Sequence, residues 1–271
     1  MAAIDLFHAG DLDGAIEAQF AEVRARPADA RARLFLVELL GFTADLDRAR
    51  RQLDAIALGE PRTDRAVRDS RDLLQAEAAR RAAFAGGEPP QTFAAAPESL
   101  TLRLEAFARL NAGATAEAVA LLARADEAIT PLPGTLDGRS FTALRDTDDL
   151  LGGVLEVLAL GKYYWVPLEQ VVGLAINAPR YPRDLSFIAA RLELAEESGE
   201  VFLPALYPGA AAEADLALKL GRLTQWRPGA DGGPSRGVGA KVYQVDDDDV
   251  ALIDWRQLAR AEAPAAEVAA T

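Results

Sequence analysis

Cysteine is absent from the 271 residues, and histidine occurs once, at His8. Without cysteine there is no disulfide, no thiolate nucleophile and no cysteine-based zinc or iron–sulfur site. One histidine excludes a zincin helix and a His-rich metal cage within the chain, and leaves His8 as the sole imidazole for any Ser-His-Asp triad. Basic charge is also short. The 29 Lys+Arg stand against 42 Asp+Glu, a net charge of −13, and only Lys162, Lys219 and Lys241 are lysines. Divided at residue 130, the chain carries 16 basic and 21 acidic residues (−5), then 13 and 21 (−8). Neither half suits a nucleic-acid backbone or an anionic membrane surface. The opening MAAIDLFHAGDLDG has Asp5 and Asp11 but no basic stretch, so it does not read as a signal peptide. The most apolar run, around residues 150–160, is too short to span a bilayer. These absences lead to the expectation of a cytoplasmic protein without catalytic residues, metal or cofactor.

What is present is apolar surface, half of all residues, enough for a sizeable core. Residues 10–20 (GDLDGAIEAQF) and 44–56 (ADLDRARRQLDAI) share D-L-D-x-A at an offset of 34, the period of a tetratricopeptide repeat. Leu6, Leu12, Ile16, Phe20 and Val23 recur at helical spacing, as do Leu46, Ala49, Leu53 and Ile56. Ala15 and Ala49 are small where two helix backbones would meet. Asp29 is a candidate N-cap, and Pro27 ends the helix before it. The repeat then decays into one arginine-rich helix over 61–84 and a Gly/Pro-punctuated loop over 85–99. Residues 100–129 read as another hairpin, with Gly113 and Ala118 lying 103 residues after Gly10 and Ala15. The expectation is three helical hairpins with an irregular middle, a TPR-like domain over 1–130. A generic α-hairpin bundle is the plainer alternative.

After a Pro/Gly linker at 130–138 the period changes. GVLEVLALGKYYWVP predicts two strands around a turn at Gly161-Lys162, and PLEQV a helical turn begun by Pro167. FIAARLELAEESGEVFLPALY predicts a hairpin turning at Ser198-Gly199, and EADLALKLG a short helix or turn. RLTQW, AKVYQV and VALIDWRQL predict further strands, and residues 228–240 a long loop. The fold class is therefore α+β, with helical repeats over 1–130 and a β-rich α+β domain over 131–271.

Three motifs point to chemistry and fail. GGPSRGVGAK lacks the Gly-Lys-Ser/Thr of a phosphate loop, because Ala240 precedes Lys241 and Val242 follows it. RDTDDL breaks the EF-hand pattern at Leu150. Asp246–Asp249 reads as a solvated acidic turn. S-x-x-K does not occur, and the one G-x-S-x-G match, GPSRG at residues 233–237, lies in the same Gly-rich stretch. The run Tyr163-Tyr164-Trp165 has two readings. On a strand, Tyr163 and Trp165 share one face and Tyr164 takes the other. Either both faces are packed, or one stays open as a partner platform.

Four blocks in order carry a family resemblance: residues 33–57, 141–171 (FTALRDTDDLLGGVLEVLALGKYYWVPLEQV), 179–194 and 199–209 (GEVFLPALYPG). Together they resemble the ImpE family, also called TagJ, of type VI secretion accessory proteins. Phe187 stands where the pattern has Trp, and the 228–240 loop is expanded. The resemblance implies a non-enzymatic adaptor with a TPR-like domain followed by an α+β domain. It implies a partner in the small, TssB-like subunit of the contractile sheath, bound through that subunit's N-terminal helical segment. It also implies a link to sheath handling by a ClpV-type ATPase. An acidic surface suits a basic amphipathic helix. Candidate partner-binding residues are Tyr163, Tyr164, Trp165, Arg145, Asp149, Arg183, Asp184 and Tyr207. The alternatives are a ligand-sensing or enzymatic C-terminal domain on a repeat scaffold, and a structural oligomer subunit.

Overall fold

The computed structural model describes residues 1–130 and 133–261. Residues 131–132, at the expected division of the chain, and residues 262–271, at its end, lie outside the described residues. Helical spacing becomes three hairpins around a long helix. They are α1 (Ala3–Ala9) with α2 (Leu12–Ala25), α3 (Ala30–Leu40) with α4 (Leu46–Asp54), and α6 (Glu98–Asn111) with α7 (Thr115–Glu127). The long helix α5 (Pro61–Phe84) begins with Pro61 in its first turn, where a missing N–H costs nothing.

The 34-residue offset is a match of capping and of packing. Asp11 caps α2 by accepting from Gly14 N at 2.8 Å, and Asp45 caps α4 by accepting from Arg48 N at 3.0 Å. Ala15 and Ala49 are fully buried, and so is Ala118 in the third hairpin. Asp29 caps α3 as expected. Gly10 and Gly113 close the equivalent turns with φ of +89° and +77°, a conformation that costs glycine little.

Among the described residues, the main sheet has eight antiparallel strands in the order β2-β1-β13-β6-β7-β8-β4-β5. They are β1 (Gly134–Leu136), β2 (Arg139–Phe141), β4 (Val154–Ala159), β5 (Lys162–Pro167), β6 (Val171–Ile176), β7 (Phe187–Leu194), β8 (Ser198–Pro204) and β13 (Gln257–Arg260). A smaller sheet orders β12 (Asp248–Ala251), β11 (Val242–Val245) and β3 (Leu144–Asp146), and β9 (Thr224–Arg227) pairs with β10 (Arg236–Gly239). A short helix, α8, spans Leu216–Lys219.

The main sheet lies between the helices and the small sheet. Leu155, Val157 and Tyr164 pack with Tyr243 and Trp255 on one side. Leu158, Trp165 and Phe187 pack with Leu73 and Phe107 on the other. The helices and the sheet thus share a core. The loop after α5 crosses the β5 edge: Gln91 N donates to Tyr163 O and Trp165 N donates to Gln91 O, both at 2.9 Å. That backbone pairing covers part of an edge that would otherwise be open.

Several expected boundaries move. The Pro/Gly linker holds the β1–β2 hairpin, because Asp137 and Gly138 both have positive φ, as a two-residue hairpin turn requires. The β4–β5 turn sits on Leu160-Gly161, one residue earlier than expected, since Lys162 already pairs with Ala159. Pro167 closes β5, and the helical turn is Leu168–Gln170 after it. The β7–β8 turn lies at residues 195–197, because Ser198 and Gly199 are already paired with Glu193 and Leu192. The 228–240 loop ends in β10, where the Tyr207 ring packs against Gly237 and leaves no room for a Cβ there. VALIDWRQL is divided between β12, a 3-10 turn at Leu252–Asp254 and β13.

Candidate functional site

In β4, Glu156 lies between Val154 and Leu158, so alternation turns its carboxylate toward the helices and the core. Its exposure is 1%, and a charge there requires partners. Arg80 of α5 supplies one, with Nε 2.7 Å from Glu156 Oε1 and Nη2 3.1 Å from Oε2, a two-point fork. Lys241, entering β11, supplies the other, 2.9 Å from Glu156 and 2.7 Å from Asp146. The Tyr163 hydroxyl donates to Glu156 at 2.6 Å, and the Tyr207 hydroxyl donates to Asp146 at 2.7 Å. Burial opposes charge on Glu156, but Arg80 and Lys241 outweigh it and hold the carboxyl well below the usual range. Burial likewise opposes charge on Lys241, and Asp146 with Glu156 more than offsets it, so the ammonium is held. Next to this network, Asp148 accepts from Arg236 Nε at 2.8 Å and Gly237 N at 2.9 Å. Each acid in this region has a cationic partner, and among the described residues no group of acids is arranged to hold a metal.

The candidate residues separate into three places. Tyr163, Trp165 and Tyr207 join the network, and Tyr164 stacks on Phe93 on the opposite face with ring centroids 4.0 Å apart. All four are buried, so the open platform considered for the aromatic run is closed on both faces. Arg145 is part-exposed, 4.0 Å from Asp149 and 3.8 Å from Asp126. Arg183 and Asp184 occupy the 3-10 turn Pro182–Leu185, with the guanidinium carbon 5.1 Å from the Phe202 ring centroid. Of the acidic turn, Asp246 is a latch, accepting from Thr142 N and Ala143 N at 2.8 and 2.9 Å. Sequence reasoning passed over Glu156, Arg80 and Lys241. The available signal was a glutamate on an apolar strand and a lone lysine beside a glycine loop.

A surface cleft of about 260 Å³ lies where α5 crosses β4 and β8. Leu158 and Phe202 form its floor, and Asp69, Asp72 and Glu200 line its rim with one cation, Arg65, 3.7 Å from Asp69. At its mouth Leu160 is 82% exposed and sits at φ +50°. A bulky side chain at positive φ is strained, and this one is held in water.

This chain is 34% identical, over 95% of its length and 90% of the other's, to the type VI secretion system accessory component TagJ of Pseudomonas aeruginosa. The chain belongs to the ImpE family. The ImpE family model matches residues 138–259 directly, a span that includes Asp146, Asp148, Glu156 and Lys241 but not Arg80. The ImpE fold is also that of a Vibrio parahaemolyticus protein solved by crystallography. It has 24% identity, a TM-score of 0.85, and coverage of 96% of this chain and 98% of that one.

Proposed function

We propose that this ImpE protein is a non-enzymatic accessory component of a type VI secretion system. It acts as an adaptor for the N-terminal helical segment of the small, TssB-like sheath subunit and is linked through it to ClpV-type handling of the sheath. The carrying observation is the end-to-end similarity to an accessory component of that system. The α5–sheet cleft supports helix capture. It offers an apolar floor for one face of an amphipathic helix and carboxylates for a basic flank. A pull-down with the small sheath subunit, with and without its N-terminal segment, tests the proposal. Capture should vanish with the segment and weaken with Asp69→Lys/Asp72→Lys. Capture that survives loss of the segment overturns it.

A second reading, a small-molecule sensor, is favoured by one feature. A cleft of about 280 Å³ beside Arg80 and Tyr207 is lined by Ser186, whose buried hydroxyl has no hydrogen-bond partner. A metabolite screen by thermal shift separates the two readings, because a ligand that binds the folded state alone raises Tm.

A further inference from the structure

A second groove, about 740 Å³, lies between α1, α3, the start of α5 and the Pro182–Leu185 turn. Its charge runs against that of the molecule. Arg31, Arg62 and Arg180 line it and are exposed, and none has an ion-pair or side-chain hydrogen-bond partner among the described residues. Arg183 pairs with Asp184 at 3.3 Å and leaves its buried Nε without a partner. The acids of the groove do not balance these four. Glu60 accepts from the Thr63 hydroxyl at 2.6 Å. Burial pushes Glu38 up to about 7 against the pull of Arg183, so part of its population is neutral at neutral pH. Leu34, Phe35 and the exposed Tyr181 supply apolar surface between the charges.

We propose that this groove docks an acidic amphipathic segment of a protein partner, its carboxylates on Arg31, Arg62, Arg180 and Arg183 and one apolar side chain against Phe35 and Tyr181. Guanidinium forks match carboxylates in two-point geometry. A short protein segment fits better than nucleic acid. A long polyanion would run onto the surrounding surface of a chain of net charge −13, whereas a few carboxylates fit inside the basic patch. The groove is separate from the acid-lined cleft of the proposed sheath-helix site and does not rest on that proposal. The adaptor would then offer opposite charge at two places, each selecting a different segment.

The test is fluorescence anisotropy of the full chain with a labelled helical peptide bearing Glu at i, i+4 and a Leu/Phe face. The control is the same peptide with Gln for Glu. The side chains of Arg31, Arg62 and Arg180 have no hydrogen-bond or ion-pair partner among the described residues, so Arg31→Glu/Arg62→Glu and Arg180→Glu should leave Tm unchanged. The Glu peptide should bind in about the micromolar range and lose about tenfold or more in affinity with the double variant. Added salt should weaken it further. Equal binding of the Gln peptide, or unchanged binding by the folded variants, overturns the proposal. So does labelled single-stranded DNA binding as tightly and with the same arginine dependence. Capture of the sheath subunit should survive Arg31→Glu/Arg62→Glu, and its loss overturns the separation of the two sites.

Discussion

Lys241 shows what a buried charge does in this protein. Its ammonium is 1% exposed and neutralises two carboxylates from different strands. Lys241→Met should cost about 3–5 kcal/mol in chemical denaturation, because it leaves Asp146 without its cation and Glu156 with one partner in place of two. Glu38 is the opposite case, an acid destabilised by its surroundings. Its folded pKa, about 7, lies above its ordinary 4.5, so the folded state binds more protons than the unfolded one between those values. Stability therefore falls as pH rises through this window and stays low above it. Arg183 and Asp184 act on this carboxyl, and Arg31, Arg62, Arg180 and Glu60 line the same groove. Glu38→Gln should raise stability at pH 8 by up to about 3 kcal/mol and have no effect near pH 4.5, measured by urea titration at both. A gain that is the same at both pH values would refute the assignment.

Turns carry the next scale. The β4–β5 turn has positive φ at both central residues, +50° at Leu160 and +74° at Gly161. Asn-Gly is the pair such a turn prefers. Leu160→Asn should stabilise the fold by about 1 kcal/mol by relieving the left-handed strain on leucine. In a sheath-subunit binding assay it should weaken capture, because it removes the apolar group at the mouth of the α5–sheet cleft. Opposite signs in the two assays would mark the strain as retained for binding. A variant that binds as well as wild type would mark Leu160 as incidental. The helices were legible at this scale because caps and packing are local. Asp11, Asp29 and Asp45 each meet backbone amides two or three residues away, and Ala15 and Ala49 repeat at a fixed offset. Turns in the β half were misplaced by one to a few residues. Register there depends on which strand pairs with which, as at Ser198 and Gly199, and no local signal encodes that.

At the scale of the whole molecule, the helices and sheet are bound by a shared apolar core and by the Arg80–Glu156 pair across 76 positions of sequence. Heating should therefore give one transition, with calorimetric and van't Hoff enthalpies agreeing. Two resolved transitions would show that the halves before and after residue 130 are independent. Charge behaves differently at this scale than locally. The net −13 argues for basic partners, yet the Pro182–Leu185 groove gathers four arginines. Arg31 and Arg62 from the helices meet Arg180 and Arg183 from the sheet domain only through folding.

By itself, the sequence determined the α+β class, the hairpins of the first half and the exclusion of thiol chemistry and of zincin or His-rich metal sites. Each depends on composition or on contacts within a few residues. It also carried the family resemblance, in four blocks between residues 33 and 209. The tertiary structure decided the rest. It put Tyr163 and Trp165 against helices and Tyr164 against Phe93, and it set Lys241 between two acids. It also formed one cleft lined by carboxylates and another by guanidinium groups. These arrangements join residues about a hundred positions apart, and long-range pairing of that kind is specified by the packing of the whole core.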